Sequence, residues 1–206
     1  MTPLGVILAG GRATRMGGGD KGLRHLGDRR LIDHVIARLG PQCAGLALNA
    51  NGDPARFAEF GLPVLPDTLP DHPGPLAGVL AGLDWAASEG ADAIVTAAAD
   101  TPFFPTDLAP RLKAAAGASG LALAASRGAD GTLWRHPTFG LWPVALRDDL
   151  RAALEDGLRK IVVWTDRHSA GIAEFPAVPH DPFFNVNTPD DLTLAAQILS
   201  EGGPNF

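Results

Sequence analysis

The chain has a single cysteine, no long apolar run and no excess of positive charge. Because Cys43 is the only cysteine among 206 residues, neither an intrachain disulfide nor a cysteine-based zinc site can form. No apolar stretch approaches the roughly 20 residues that a membrane helix needs, and the N-terminus has no charged segment followed by a hydrophobic one. These absences lead us to expect a cytoplasmic protein without a membrane segment.

The charge balance argues against nucleic acid as a partner. The formal net charge is -6, whereas nucleic-acid-binding domains usually present a basic face. A polyanionic ligand would have to be met by a local positive pocket. The hydrophobic fraction of 46% and the charged fraction of 19% are ordinary for a globular chain, and nothing in the composition divides it. We therefore expect one domain over residues 1–206.

Short apolar runs alternate with segments of helical pattern. The runs are nearly continuous rather than alternating in polarity, which is typical of buried parallel strands. The predicted strands are residues 4–8, 46–49, 62–65, 93–98 and 121–125. The predicted helices are residues 31–39, 54–60, 76–88 and 107–116. This rhythm predicts an α/β fold, a Rossmann-like three-layer sandwich with a mostly parallel sheet, whose ligands bind beyond the carboxyl ends of the strands.

The second half of the chain is less regular. Residues 138–142 are a predicted strand, residues 144–156 a helix and residues 189–200 a final helix. Thr188 is the predicted N-cap of that last helix, because Asp191 follows three residues later as in a capping box. Residues 161–164 fit either a strand or part of an amphipathic helix that ends at Gly171.

A glycine-rich loop, LAGGRATRMGGGDKG, follows the first predicted strand. Its glycines let backbone N–H groups converge on a concave surface, and Arg12, Arg15 and Lys21 add positive charge. These features predict a phosphate-binding loop, although the glycines alone also fit a solvated surface connection. The spacing matches neither the Walker loop nor the dinucleotide-binding fingerprint.

Polar side chains follow three of the predicted strands. Asp100 comes directly after the apolar run AIVTAAA, Asp67 follows LPVLP, and Asn49 closes its own strand. Phosphoryl transfer uses a Mg²⁺ ion that one or two protein carboxylates hold, so Asp100 is the leading candidate for a metal ligand. The structural alternatives are a capping role for Asp100 and ordinary turn chemistry for Asp67 beside its prolines.

Seven segments together resemble the molybdenum cofactor guanylyltransferases, over about residues 4–195. The first is the loop, with LAGG, RMG and DK. The others are NAN at 49–51, VLPD at 64–67, PGPLAG at 73–78, AADTPF at 98–103, RHPTFGLW at 135–142 and FNVNTPDDL at 184–192. Each segment is short, but their order and spacing make the combination specific.

The resemblance implies an enzyme that transfers GMP from GTP to the molybdopterin form of the molybdenum cofactor and releases pyrophosphate, with Mg²⁺ as its metal. It implies catalytic roles for Lys21, Arg15 and Asp100 and a metal held by Asp100 and Asn187. The nucleotide-binding residues that it implies are Leu8, Ala9, Gly10, Gly11, Lys21, Asn49, Asp67 and Asp100.

The second substrate is the less defined part of this interpretation. Arg135, His136 and Asn185 are the candidates to bind it, although a lone histidine is more often structural than catalytic. Of the four tryptophans, Trp134 lies near that motif and is the candidate to stack on a ring. The expected partners are GTP, the molybdopterin cofactor and, transiently, cofactor-insertion proteins or recipient molybdoenzymes.

Three other functions are consistent with the same residues. A cytidylyltransferase of the same cofactor pathway or a sugar-1-phosphate nucleotidyltransferase would share the loop and the metal-binding aspartate. A non-catalytic nucleotide-binding protein for cofactor delivery belongs to a different class. No residue identifies the base from sequence alone.

Overall fold

A seven-stranded sheet forms the centre of the computed structural model, which describes residues 1–10, 19–69 and 74–201. The strands are β1 (Leu4–Leu8), β2 (His25–Leu26), β3 (Arg29–Arg30), β4 (Leu46–Asn49), β5 (Val64–Leu65), β6 (Ala93–Ala98), β7 (Ala122–Arg127), β8 (Leu133–Pro143) and β9 (Gly171–Pro176). β2 and β3 form a separate hairpin, and the sheet order is β5-β4-β1-β6-β8-β7-β9. Within that sheet only β8 runs antiparallel to its neighbours, which confirms the predicted α/β fold with a mostly parallel sheet.

Helices cover both faces of the sheet. They are α1 (Leu31–Leu39), α2 (Pro75–Ser88), α3 (Leu108–Ala115), α4 (Arg147–Glu155), α5 (Ile161–Arg167) and α6 (Pro189–Ser200). The buried side chains of α1 and α3 join one apolar cluster with the sheet, and those of α2, α4 and α5 join a second cluster on the opposite face. Burial of these two faces is the main force that holds the three layers together.

Two strands differ in length from their predictions. β5 is shorter than residues 62–65 because Pro63 has no N–H to donate, although its carbonyl accepts from the Leu48 N–H at 2.8 Å. β8 begins five residues before the predicted start at Thr138, within the segment LWRHP, whose first three residues are exposed. Pro137 is tolerated there because the pairing with β7 shifts register between His136 and Gly140.

The remaining differences lie mostly after residue 120. β7 extends to Arg127 because β8 and β9 pair with it on both sides. Residues 161–164 belong to a helix, as one of the two alternatives had it, but this helix ends at Arg167 and Gly171 instead begins the unpredicted strand β9. Residues 54–60 form a 3₁₀ helix, and a 3₁₀ turn at 144–146 precedes α4.

The last helix connects the C-terminal part of the chain to the centre of the sheet. α6 begins with the predicted capping box, in which the Asp191 N–H donates to Thr188 Oγ1 at 3.1 Å and Asp191 Oδ2 accepts from the Thr188 N–H at 2.8 Å. Ala195 and Ile198 of this helix pack in a third apolar cluster with Phe103. This packing brings the segment before α6 against the loop that follows β6.

Candidate active site

A cavity of about 370 Å³ lies at the carboxyl edge of the sheet, where parallel α/β folds place their ligands. Leu8, Ala9 and Gly10 line it at the end of β1, and Lys21 and Asp100 line it beside the end of β6. These residues therefore lie together at one edge of the sheet, as the sequence predicted. Of the predicted loop residues, Gly11, Arg12 and Arg15 lie outside the described residues.

Three of the predicted side chains meet at one point of this edge. Lys21 Nζ donates to Asn187 Oδ1 at 2.5 Å and lies 3.6 Å from Asp100 Oδ2. The contact with Asn187 joins residues 166 positions apart in the chain. The ammonium group is therefore fixed between a carboxylate and an amide oxygen, and both oxygens face the same small volume.

Burial makes this carboxylate unusual. It raises the pKa of Asp100 above its ordinary value, and the positive charge of Lys21 opposes that rise. Burial destabilises the ionised form of this carboxylate because it loses hydration. A bound cation would stabilise the ionised form, since the positive charge compensates for that loss. Perturbed groups of this kind in a cleft are frequent at functional sites.

The donor atoms at this point suit a hard cation that takes few protein ligands. Asp100 offers carboxylate oxygens and Asn187 offers an amide oxygen, which are ligand types that Mg²⁺ accepts. Within the described part of the chain, no group of three or more His, Cys, Asp and Glu side chains comes together as a metal site. A cation held here would therefore have to complete its shell with water and substrate oxygens, as Mg²⁺ does in phosphoryl-transfer sites.

Asn185 occupies a different position from Asn187. Its Oδ1 accepts from the buried Thr101 hydroxyl, and the N–H of Val186 donates to the Asp100 carbonyl at 2.9 Å. These bonds hold the segment 185–187 against the loop after β6. Asn185 thus supports the backbone around Asp100, and Asn187 alone of the two contacts Lys21.

A second group of polar side chains lies beyond β4 and β5. Asn49 is buried and donates from Nδ2 to Asp67 Oδ1 at 3.0 Å and to the Leu65 carbonyl at 3.0 Å. Asn51 donates to Asp67 Oδ2 at 2.7 Å and accepts from the Asp67 N–H at 2.8 Å. Asn49 and Asn51 therefore fix the orientation of Asp67 at the cavity wall.

Asn51 and Thr138 also line the cavity, although neither was predicted as a site residue. Asn51 shares the NAN segment with Asn49, so the motif itself was the signal that could have identified it. Thr138 likewise belongs to the RHPTFGLW segment, but its place at the cavity depends on the antiparallel pairing of β8 with β6.

A helix glycine sets the position of Asn49. Gly78 of α2 packs directly on the Asn49 side chain, and a Cβ atom at residue 78 would lie 2.8 Å from Asn49 Cγ and 2.9 Å from Leu8 Cδ2. Real Cβ atoms do not approach carbon so closely, so any larger residue would displace Asn49. Gly78 thus lets α2 approach the end of β4.

Of the residues predicted to meet a second substrate, Arg135 and His136 lie further along the sheet edge, on β8. His136 Nε2 lies 2.7 Å from Ser126 Oγ, and the imidazole stacks on Phe183 with ring centroids 4.3 Å apart. Burial lowers the pKa of His136, which favours its neutral form, and the charge of Asp181 opposes this shift. Arg135 donates to Asp166 Oδ1 at 2.7 Å. His136 is thus largely engaged in packing.

Trp134 stands out among the four tryptophans because 60% of it is exposed, whereas Trp142 and Trp164 are buried. It lies on β8, four residues before the cavity residue Thr138.

None of the helices in the described ranges has the length and apolar character needed to cross a membrane.

Comparison with known proteins identifies relatives over nearly the whole chain. A family model described as the MobA-like NTP transferase domain matches residues 5–170. The molybdenum cofactor guanylyltransferase of Bradyrhizobium sp. (strain ORS 278) is 54% identical over 201 residues, which are 95% of this chain and 92% of that protein. The protein of the same name from Cereibacter sphaeroides is 52% identical, over 97% of this chain and 98% of its own.

Solved structures share the fold. Molybdopterin-guanine dinucleotide biosynthesis protein A from Archaeoglobus fulgidus superposes with a TM-score of 0.69 at 24% identity, covering 96% of this chain and 99% of that one. 4-Diphosphocytidyl-2C-methyl-D-erythritol synthase gives a TM-score of 0.71 at 14% identity, covering 97% of this chain and all of the other. At these identities the superpositions establish the architecture of the sheet and its helices.

Proposed function

The chain belongs to the MobA-like NTP transferase family, and on that premise we propose that it transfers GMP from GTP to molybdopterin, giving the guanine dinucleotide form of the cofactor and pyrophosphate. The observation that carries this proposal is the meeting of Lys21, Asp100 and Asn187 at the cavity edge. The 54% identity to a curated guanylyltransferase supports the choice of substrates.

The order of the strands suggests how the two substrates share the edge. Asp100 follows β6, in the middle of the sheet, with β1, β4 and β5 on one side of it and β8, β7 and β9 on the other. We place the guanine nucleotide over the first group, where Asn49, Asn51 and Asp67 hold one another. Molybdopterin then lies over the second group, and the phosphates meet beside Asp100.

The chemistry needs an anionic nucleophile and a charge-stabilising site. An oxygen of the terminal phosphate of molybdopterin attacks the α-phosphorus of GTP, a new P–O bond forms, and the bond to the bridging oxygen breaks so that pyrophosphate leaves with the electron pair. The nucleophile is already deprotonated, so no general base is required. Lys21 would stabilise the charge on the triphosphate, and positioning with electrostatic stabilisation would supply the acceleration.

Membership of a nucleotidyltransferase family suggests a requirement for a divalent cation. We propose that the cation is Mg²⁺ and that Asp100 and Asn187 hold it. When bound, the ion would neutralise negative charge on the phosphate oxygens. Lys21 would then be released from its contact with Asn187 to bind phosphate.

The acceptor side of the site is proposed from its position on β8. Arg135 would attract the anionic molybdopterin, and the exposed ring of Trp134 offers a surface on which a planar pterin can stack. His136 and Asn185 would support the acceptor site indirectly. His136 would fix strand β8, and Asn185 would fix the loop after β6. Contacts with insertion proteins or recipient molybdoenzymes remain part of the proposal.

We also propose that residues 1–206 work as one nucleotidyltransferase domain in the cytoplasm. The family match ends at residue 170, yet Asn187 and the α6 capping box lie beyond it and complete the site around Lys21. Removal of the C-terminal part would therefore remove a site residue as well as a helix.

Release of pyrophosphate from GTP in the presence of molybdopterin tests the proposed reaction directly. Product formation that requires both substrates supports an enzyme. A chain that binds GTP without releasing pyrophosphate would instead be a nucleotide-binding delivery protein, and release only with CTP would assign it to the sister cytidylyltransferases.

Nucleotide preference is a separate prediction. We expect isothermal titration with Mg²⁺ to show GTP binding roughly tenfold or more tightly than CTP or ATP, since one or two hydrogen bonds that only guanine completes are sufficient for such a factor. Equal affinities for the three nucleotides would contradict the choice of guanine.

The contact between α2 and Asn49 gives a further prediction. In Gly78→Ala the added methyl group displaces Asn49, and Asp67 loses one of its two amide donors, so we expect GTP to bind about tenfold more weakly in titration. Gly82→Ala is a matched control on the same helix, because its methyl group meets Ile94 and Val6 in the core instead. Gly82→Ala should lower the melting temperature without changing GTP affinity, and equal affinity losses in both variants would refute the local mechanism.

A further inference from the structure

Arg56 connects two segments of the chain that flank the proposed nucleotide site. Arg56 lies in the 3₁₀ helix Pro54–Phe60, and its Nη1 and Nη2 donate to the carbonyls of Asp53 and Asn51, both at 2.6 Å. Its Nε lies 2.6 Å from Asp20 Oδ2. The guanidinium group therefore joins the segment after β4 to the segment that carries Lys21.

The contact with Asp20 is one of charge. Arg56 Nε is buried and has no aligned hydrogen-bond acceptor among the described residues, although the Asp20 carboxylate lies beside it. The guanidinium also lies over the Phe57 ring, with 4.7 Å between its central carbon and the ring centroid. The arginine is thus fixed from several directions, and the Asp20 carboxylate is held beside it by the attraction of opposite charges.

Two of the residues that Arg56 contacts, Asp20 and Asn51, lie beside or within the site. Asp20 immediately precedes Lys21, whose ammonium group lies between Asn187 and Asp100. Asn51 uses its side chain to hold Asp67, while its carbonyl accepts from Arg56. Movement of the Arg56 guanidinium group would therefore displace the Lys21 ammonium group and the residues at the wall of the cavity.

We propose that Arg56 is a positioning residue that places Lys21 for the reaction by holding Asp20. Its effect on turnover rests on the proposed function, but the linkage between the two segments does not. The side chains of Arg56 and Asp20 are mostly buried, at 28% and 18% exposure, so solvent screens the attraction between them only in part. The pair can therefore hold Asp20, the residue before Lys21, in place.

A double-mutant cycle tests this role. Arg56→Gln and Asp20→Asn should each lower kcat for GMP transfer by roughly tenfold to a hundredfold, because misplacing a catalytic group by about 1 Å has effects of that size. KM for GTP should change less than kcat, and the double variant should be no slower than the worse single variant. Independent losses that multiply in the double variant would overturn the proposal.

Arg151→Gln is the matched control. Arg151 is 33% exposed and also binds a carboxylate, with Nη2 2.7 Å and 2.8 Å from the two oxygens of Asp84, but this pair bridges α2 and α4. Its turnover should equal that of the wild type. A loss equal to that of Arg56→Gln would show a general structural effect and would overturn the proposal.

Amide hydrogen exchange measures the linkage without any activity. Exchange of residues 19–24 should be faster in Arg56→Gln than in the wild type and unchanged in Arg151→Gln. If the wild type releases no pyrophosphate, the proposed function fails while this measurement still tests the linkage. Unchanged exchange at residues 19–24 in Arg56→Gln would overturn the positioning role.

Discussion

Replacement of Lys21 by alanine should lower the rate of GMP transfer by at least about a hundredfold while the fold stays intact. The ammonium group is the cation placed 3.6 Å from Asp100 at the cavity edge, where the triphosphate would bring several negative charges. Removing one well-placed positive or donor group from a site of charge stabilisation typically costs a factor of roughly 10²–10³ in turnover. Pyrophosphate release under saturating GTP and molybdopterin measures the loss.

Lys113→Ala provides the comparison for this variant. Lys113 lies exposed in the last turn of α3, so the same substitution there removes a charge without approaching the cavity. We expect normal turnover from Lys113→Ala and similar thermal unfolding for both variants. Wild-type turnover in Lys21→Ala would contradict the assignment of the loop as a phosphate-binding device.

The sequence predicted the residues of this site where a local pattern also indicates a position at the ligand edge of the sheet. Asp100 follows a run of apolar residues that is typical of a buried strand, and strands of this kind end at the ligand edge of the sheet. Lys21 could be predicted from its glycine-rich surroundings. Asn187 depended on resemblance alone, because no local pattern indicates that a residue 166 positions away will contact Lys21.

Other features could not be predicted because tertiary contacts decide them. The exposed first half of β8 becomes a strand only because β7 pairs with it, and β9 has too few residues of regular pattern to be recognised before its partner is known. Arg56 resembles any surface arginine in the sequence. Its contacts with Asp20 and Asn51 exist only once the loop and the 3₁₀ helix pack together.

The two asparagines near α6 show the same limit at the level of single side chains. Both belong to the segment NVN, and the preference for Asn187 as a metal ligand stays a prediction. The structure separates them by contact, since Asn187 bonds Lys21 and Asn185 bonds Thr101. In a regular extended strand two residues at i and i+2 would point to the same side, so the different contacts reflect the irregular backbone of residues 185–187, which no local sequence pattern indicates.

Asp100→Asn is the second substitution for which we expect a large effect. The change removes the carboxylate charge but keeps the size of the side chain, so we expect activity to fall by orders of magnitude, on the scale seen when groups that stabilise transition-state charge are removed. The variant should also need a higher Mg²⁺ concentration for half-maximal activity. Mn²⁺ binding followed by electron paramagnetic resonance should weaken in parallel, and this measurement does not depend on turnover.

Stability separates this role from a structural one. Burial raises the pKa of Asp100, which means that the folded chain disfavours its ionised form, so replacing the carboxylate by a neutral amide should leave the melting temperature nearly unchanged. A structural aspartate would give the opposite result, with a lower melting temperature and normal activity in the folded fraction. Asp107→Asn, at the exposed start of α3, is the control for the same chemical change and should alter neither Mg²⁺ dependence nor turnover. A carboxylate that is buried at a cost to its charged form, beside a lysine and an amide oxygen, is better explained by the binding of a cation than by the folding of the chain.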